Sequence, residues 1–173
     1  MLISLLTASD ALAYRGLMLE AYAQAADAFT STAEERAAEP ESWWVKRIAD
    51  PGGLSAAFGA RVGDELLGTV ALEYSAKPKT RHTALLIGMY VRDHARGQGL
   101  GKALLQAAIR HAEQRDGAKV ITLTLTEGNA AALSLYVSAG FQAWGTQPMA
   151  IHTTNGFKGK VHRSKALPGA SAG

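Results

Sequence analysis

The chain has 173 residues, 47% hydrophobic and 19% charged, with a formal net charge of +3. That suffices for one domain with a substantial core, and the composition is neither that of a disordered chain nor that of a membrane protein. The absence of cysteine excludes disulfides, thiolate metal sites and a cysteine nucleophile, while a charge of +3 helps an anionic ligand approach but is too small to argue for nucleic acid.

No apolar run approaches the roughly 18 residues of a membrane span, and Met1 to Leu6 lacks the basic segment of a signal peptide. A cytoplasmic setting, with no membrane or nucleic-acid partner, is the expectation. Leu2 to Leu6 reads as a first strand. Ser9 or Asp10 is the expected cap of a helix whose apolar stripe is Leu12, Leu17, Met18, Ala21 and Tyr22. Ser31-x-x-Glu34 matches a capping box that opens a short second helix. Glu41 to Ile48 adds a further turn or two with Trp44 and Ile48 on one face, until Asp50-Pro51-Gly52-Gly53 breaks it. Trp43 and Trp44 read as core or lid packing. The runs 54–61 and 66–74 form a hairpin around Val62-Gly63-Asp64-Glu65. Alternation along the second run puts Val70, Leu72 and Tyr74 on one face and Ala71 and Glu73 on the other. Lys77-Pro78-Lys79 is a loop before the strand from His82 to Val91.

That strand leads into the most informative stretch, LLIGMYVRDHARGQGLGK, residues 85–102. An apolar run stops at a charged turn, and a helical pattern (Leu100, Leu104, Leu105, Ala108, Ile109, Ala112) starts at Arg96-Gly97-Gln98-Gly99-Leu100-Gly101. Glycines are poor inside a helix. At a helix N-terminus they let unpaired backbone N–H groups come close to a bulky anion, which the helix dipole also favours. A P-loop is excluded, because Arg96 stands where its first glycine should be and Ala103 where its hydroxyl should be. The dinucleotide fingerprint fails at Lys102. A glycine-rich turn without a ligand is the plain alternative. Downstream, the strand-like run 120–125 is followed by Asn129 to Phe141, NAAALSLYVSAGF. Here Asn129 suits an N-cap, Gly140 the C′ position, and Phe141 packs back on the last turn. Asn129 as a choice among caps, and Tyr136, are not demanded by packing.

The spacing R-x-x-G-x-G with Val91 five residues before it, followed by N-x-x-A-x-x-L-Y-x-x-x-G-F, resembles the GNAT N-acetyltransferases, specifically over about 85–141 and loosely elsewhere. The resemblance implies an α/β fold: a mixed, twisted sheet flanked by helices, its central strands parallel and splayed at the acetyl-CoA site. It implies acetyl-CoA as co-substrate, held by Met89, Tyr90 and Val91 of the central strand, by Arg96, Gly97, Gln98, Gly99, Leu100, Gly101 and Lys102 of the turn, and by Asn129 and Tyr136. A main-chain amide near Met89 to Val91 would receive the developing thioester oxyanion.

In the last part, Gly145 to Thr153 reads as a strand, Asn155-Gly156 as a type I′ turn and Phe157 to Leu167 as the return strand. The domain is expected over 1–167, with 168–173 a flexible tail. Lys158, Lys160 and His162 alternate on one face and read as a solvated edge. Related sequences often carry an acidic residue near 162 and an apolar one near 164; His162 and Ser164 depart from this, which leaves a homodimer through this strand open.

Amide formation sets the remaining expectations. An amine with a pKa near 10.4 is neutral in about one molecule in 2,500 at pH 7, equivalent to roughly 4.6 kcal/mol, so a base or water chain must take a proton. Tyr136 is the candidate acid toward the departing thiolate and Glu73 the candidate base, with His82 as runner-up. His82, His94, His111, His152 and His162 share no ligand spacing, and no metal is implied. The leading reading is acetyl transfer to a small-molecule primary amine in a ternary complex. A peptide or protein lysine or N-terminal acetyltransferase, and a non-catalytic acetyl-CoA-binding module, are the alternatives.

Overall fold

The computed structural model describes residues 1–170; the end of the expected tail, 171–173, lies outside the described residues. The strands are β1 (Leu2–Leu5), β2 (Ser55–Val62), β3 (Glu65–Tyr74), β4 (Thr83–Val91), β5 (Val120–Thr126), β6 (Gln142–Thr153) and β7 (Gly156–Ala166). The helices are α1 (Ala11–Gln24), α2 (Ala33–Ala37), α3 (Glu41–Ala49), α4 (Leu100–Gln114) and α5 (Ala130–Ser138). Among the described residues one mixed sheet runs in the order β1-β2-β3-β4-β5-β7-β6, and only the β4–β5 pair is parallel. That pair is joined through α4, the crossover that a parallel pairing requires.

The alternation expected on β3 is what divides the core. Val70, Leu72 and Tyr74 pack with Leu86, Leu104, Leu105 and Ile121 on the α4 side. Ala71 packs with Tyr14, Leu17, Met18, Trp44 and Ile48 on the α1 and α3 side. Val62 pairs with Glu65, so Gly63 and Asp64 alone turn the β2–β3 hairpin. Glu73 faces the α1–α3 side and pairs with Leu85 of β4.

Several local expectations change. Leu12 is not part of the buried stripe of α1 but 80% exposed; Ala11 and Tyr14 take the inward positions. Neither Ser9 nor Asp10 caps α1 with its side chain. Thr7 instead opens a 3-10 turn over Ala8–Asp10, and the Asp10 carboxylate accepts from the Thr7 amide at 2.7 Å while pairing with Arg61. The capping box of α2 sits one residue later than expected. The stretch Ser31-Thr32-Ala33-Glu34-Glu35 contains the pattern in two frames, and the fold uses the second: the Glu35 amide donates to Thr32 Oγ1 at 3.1 Å, and Glu35 Oε2 accepts from the Thr32 amide at 2.7 Å. In α3, Glu41 stands in the first turn and Lys46 and Arg47 in the last, each favourable to the helix dipole, and Trp44 and Ile48 are buried as expected.

At the C-terminal end Thr153 pairs with Gly156, so the connection is Thr154 and Asn155. Met149 is the only non-glycine with positive φ among the described residues, so Asn155 is not left-handed and no type I′ turn forms. Thr153 Oγ1 instead accepts from the Asn155 amide and donates to the Gly156 carbonyl. β7 is not an edge: it lies between β5 and β6. The solvated-edge reading of its lysines is thereby replaced. Lys158 pairs with Asp27 at 3.2 Å, and Lys160 turns to the central cavity.

Candidate active site

Parallel pairing of β4 with β5 runs only from Thr83–Val120 to Leu85–Thr122. Beyond it the strands diverge, leaving the β5-facing edge of β4 without a strand partner. Gly88 there takes φ +63, a conformation open to glycine and costly to a branched residue, where the β3–β4 register shifts between Thr69 and Ala71. A cavity of about 320 Å³ occupies the gap, walled by Leu85 to Met89, by Thr124 to Thr126, and by Asn129 and Tyr136 of α5. The α1–α3 side adds Tyr22, Phe29, Arg36 and Arg47, and β7 adds Lys160.

Of the residues expected to hold the cofactor, Met89, Asn129 and Tyr136 line this cavity. Tyr136 is the buried residue of α5, set edge-on to Phe141 with ring centroids 5.9 Å apart. Burial pushes its phenol up to about 12, so it is protonated at any working pH. Asn129 caps α5, its Oδ1 accepting from the Ala132 amide at 3.2 Å. Tyr90 is turned to the α1 side, where its hydroxyl donates to Glu20 at 3.1 Å. Val91 gives its carbonyl to Arg96 Nε at 3.0 Å.

The turn 96–101 lies at the start of α4. Gly97 and Gly99 have φ +75 and +79, and a Cβ on either would meet nothing within 4 Å. Gly99 is the N-cap, and the first helical bond runs from the Ala103 amide to the Gly99 carbonyl at 3.0 Å. Among the described residues, the amides of 97–102 donate no backbone hydrogen bond outside the helix ladder. Arg96 is committed to the turn itself, through Val91 and an ion pair with Asp93 at 3.0 Å. Gln98 and Lys102 are exposed. Free amides, open space and a 15-residue helix behind them fit a pyrophosphate group.

Glu73 does not share the cavity with Tyr136. It lines an adjoining one with Trp43, Lys46, Asp50 and Tyr74, and its Oε1 accepts from Arg47 at 2.9 Å. Arg47 is the residue common to both cavities. His82 is exposed at the far end of β4, where its carbonyl accepts from the Lys119 amide. Sequence reasoning missed Arg36, Arg47 and Lys160, which come from three separate elements and follow no common spacing; the cationic last turn of α3 was their one visible sign.

Known proteins resemble this chain in sequence and in fold. The chain is 43% identical over 60 residues to an L-methionine sulfoximine/L-methionine sulfone acetyltransferase of Pseudomonas aeruginosa, a match covering 35% of this chain and 34% of that protein. It is 35% identical over 97 residues to rat N-acetyltransferase 8, covering 54% and 42%. The chain thus spans well under half the length of these curated relatives. Among solved structures, yncA of Salmonella typhimurium, held with its cofactor acetyl-CoA, superposes with a TM-score of 0.82 at 21% identity, over 100% of this chain and 97% of that one. A GNAT acetyltransferase of Streptococcus pneumoniae gives 0.80 at 22% identity, over 96% and 98%. At these identities the structures speak to the fold alone. The profile of the acetyltransferase (GNAT) family matches residues 18–141, from the middle of α1 through the end of the α5 motif, and the chain belongs to that family.

Proposed function

We propose that the chain, as one acetyltransferase domain over 1–167, moves an acetyl group from acetyl-CoA to a primary amine of a small molecule by direct attack in a ternary complex. The observation that carries this reading is the unpaired edge of β4 beyond Leu85, opening on a cavity that Tyr136 also lines, with the glycine turn at the start of α4 nearby in the chain. An extended thioester arm laid along that edge would bond to β4 as a further strand does, bringing its carbonyl to an amide near Met89 to Val91. Attack by the neutral amine forms the C–N bond and expels the thiolate, toward which the Tyr136 phenol is a protonated donor. Glu73 takes the amine's proton, directly or through water. Its ion pair with Arg47 supports a second role for the same carboxylate, that of holding the guanidinium at the mouth of the cavity. The Pseudomonas relative's acceptors, named as L-methionine sulfoximine and L-methionine sulfone, support a small-molecule acceptor over a protein.

The test is acetyl-CoA-dependent thiol release across polyamines, amino acids, aminoglycosides and peptides. Turnover of small amines is the expected result. Turnover of peptides alone would transfer the chain to the protein-modifying class, and tight acetyl-CoA binding without thiol release would make it a binding module.

A further inference from the structure

The central cavity is walled by three cations, Arg36 of α2, Arg47 of α3 and Lys160 of β7, and among the described residues no carboxylate lines it. Arg36 and Arg47 share one aromatic platform: their guanidinium carbons stand 4.5 and 5.3 Å from the Trp43 ring centroid. Both side chains are held out of solvent, 23% and 19% exposed. Both are also under-used as donors. Arg36 has Glu39 at 3.8 Å, beyond hydrogen-bond distance. Arg47 gives one N–H to Glu73. The Nε of each is buried without a partner among the described residues. A guanidinium offers five N–H groups in a rigid fork that matches a carboxylate, and buried donors left unpaired are unfavourable.

The acceptor's own charge sharpens this. A primary amine arrives as an ammonium ion, and a cavity walled by guanidiniums repels it unless it brings an anion of its own. A polyamine brings none. A molecule with a carboxylate beside its amine does, and pinning that carboxylate fixes the direction from which the amine approaches the β4 edge.

We propose that Arg36 and Arg47, set over Trp43, form an anion clamp that selects acceptors carrying a carboxylate next to the reacting amine, as an α-amino acid does; this rests on reading the cavity as the site of acetyl transfer. Glu73, in this arrangement, aims Arg47 and leaves its remaining N–H groups for the ligand. The clamp makes Arg36 and Arg47 specificity residues and separates them from the groups that bind the cofactor.

Initial rates at saturating acetyl-CoA would compare L-methionine sulfone with its methyl ester, with 3-(methylsulfonyl)propylamine, which lacks the carboxyl group, and with spermidine. The free acid is expected to lead in kcat/KM by at least about 100-fold. Arg36→Gln and Arg47→Gln should each raise its KM at least about tenfold, and Arg36→Gln, which leaves the Arg47–Glu73 pair intact, should keep the ester's kcat/KM and the acetyl-CoA Kd within about twofold. Should Arg47→Gln fail to fold because Glu73 loses its partner, Arg36→Gln carries the test alone. Equal turnover of acid and ester, or an unmoved KM in a folded Arg36→Gln, overturns the clamp and leaves the acetyltransferase reading standing. If no small amine is acetylated, that reading is what fails. The clamp is then read by calorimetry with N-acetyl-L-methionine sulfone: binding weakened at least about tenfold in Arg36→Gln supports it, and no binding to the wild type overturns it.

Discussion

The two walls of the central cavity are built on different principles. On the side of residues 85–141, the work falls to backbone: the open edge of β4, the left-handed Gly88 and the capped start of α5, with the free amides ahead of α4 outside the cavity itself. On the side of residues 20–50, it falls to side chains on short elements, Arg36 and Arg47 leaning on Trp43. Backbone chemistry constrains the local sequence, since glycine and capping residues must stand at fixed offsets. Side-chain chemistry at a junction of elements does not. One wall can therefore be common to a family while the other differs with each acceptor.

The largest expected effect lies on the backbone-built wall, at its one chemical side chain. Tyr136→Phe should lower kcat by about ten- to a thousandfold with acetyl-CoA affinity nearly unchanged. The size within that range is informative. A phenol near 12 against a free thiol near 8.5 leaves about 3.5 units, roughly 5 kcal/mol, against full proton transfer, unless the sulfur shares the burial that raised the phenol. A loss near tenfold fits a hydrogen bond to the thiolate; a loss near a thousandfold fits a transferred proton. Wild-type kcat would leave Tyr136 as packing against Phe141.

Next is Gly99→Val, expected to raise the acetyl-CoA Kd at least tenfold, about 1.4 kcal/mol. A branched residue at φ +79 is strained even though no atom lies within 4 Å of its Cβ. Gly99→Asn sharpens the result, because asparagine tolerates the left-handed region. If Asn restores affinity, the backbone conformation was what mattered. If it does not, the cradle needs the bare approach that only glycine allows. Unchanged affinity in both folded variants would remove the turn from the cofactor site.

The legibility of the sequence follows the same division. The strand–turn–helix at 85–102 and the cap at Asn129 were readable because each is solved within one short continuous stretch of chain. The α2 cap was misplaced because STAEE satisfies the pattern in two frames, and only packing chooses between them. Lys160 was read as an edge residue because nothing local says that β6 covers β7. Arg36 and Arg47 lie eleven positions apart on two helices, and their common platform depends on how α2 meets α3. These are long-range facts, and no single stretch of sequence contains them.

Glu73 lines the adjoining cavity and reaches the central one through Arg47, and Glu73→Gln should produce a smaller loss of about tenfold or less in kcat/KM at pH 7, below the usual range of general-base effects because water can relay the proton in its place. Its pH dependence separates the two roles. A base lost from the reaction is replaced as rising pH frees the amine, so the gap between variant and wild type narrows toward pH 10. A lost partner of Arg47 raises the acceptor KM by a factor that pH leaves alone over that range, because arginine stays charged. If the variant loses less than twofold while His82→Ala shows the narrowing gap, the base is His82.

The smallest effect tests whether the two walls rest on one cooperative body. His111 of α4 sets its ring against Phe58 of β2 at 5.5 Å and Tyr74 of β3 at 6.3 Å, and the Arg115 guanidinium covers the Tyr74 ring at 3.8 Å. Burial first, and then the Arg115 charge, hold the His111 imidazole below its ordinary value of 6.5. A histidine depressed in the folded state favours folding while neutral. Its contribution is complete above about pH 6.5 and is lost as pH falls through the folded value. The wild type should therefore lose more Tm than His111→Gln between pH 8 and pH 5. Acid-sensitive groups common to both proteins, such as the Asp10 carboxylate beside Thr7 and Arg61, cancel in the difference. Because the ring is only half-buried, solvent screening keeps the extra loss to about 1–2 °C. Parallel Tm-versus-pH curves would mean that His111 titrates alike in the folded and unfolded chains. A single transition followed by both tryptophan fluorescence of a Trp144→Phe variant, which leaves Trp43 and Trp44 of α3 as the reporters, and far-ultraviolet dichroism would show that the seam between the walls melts as one unit.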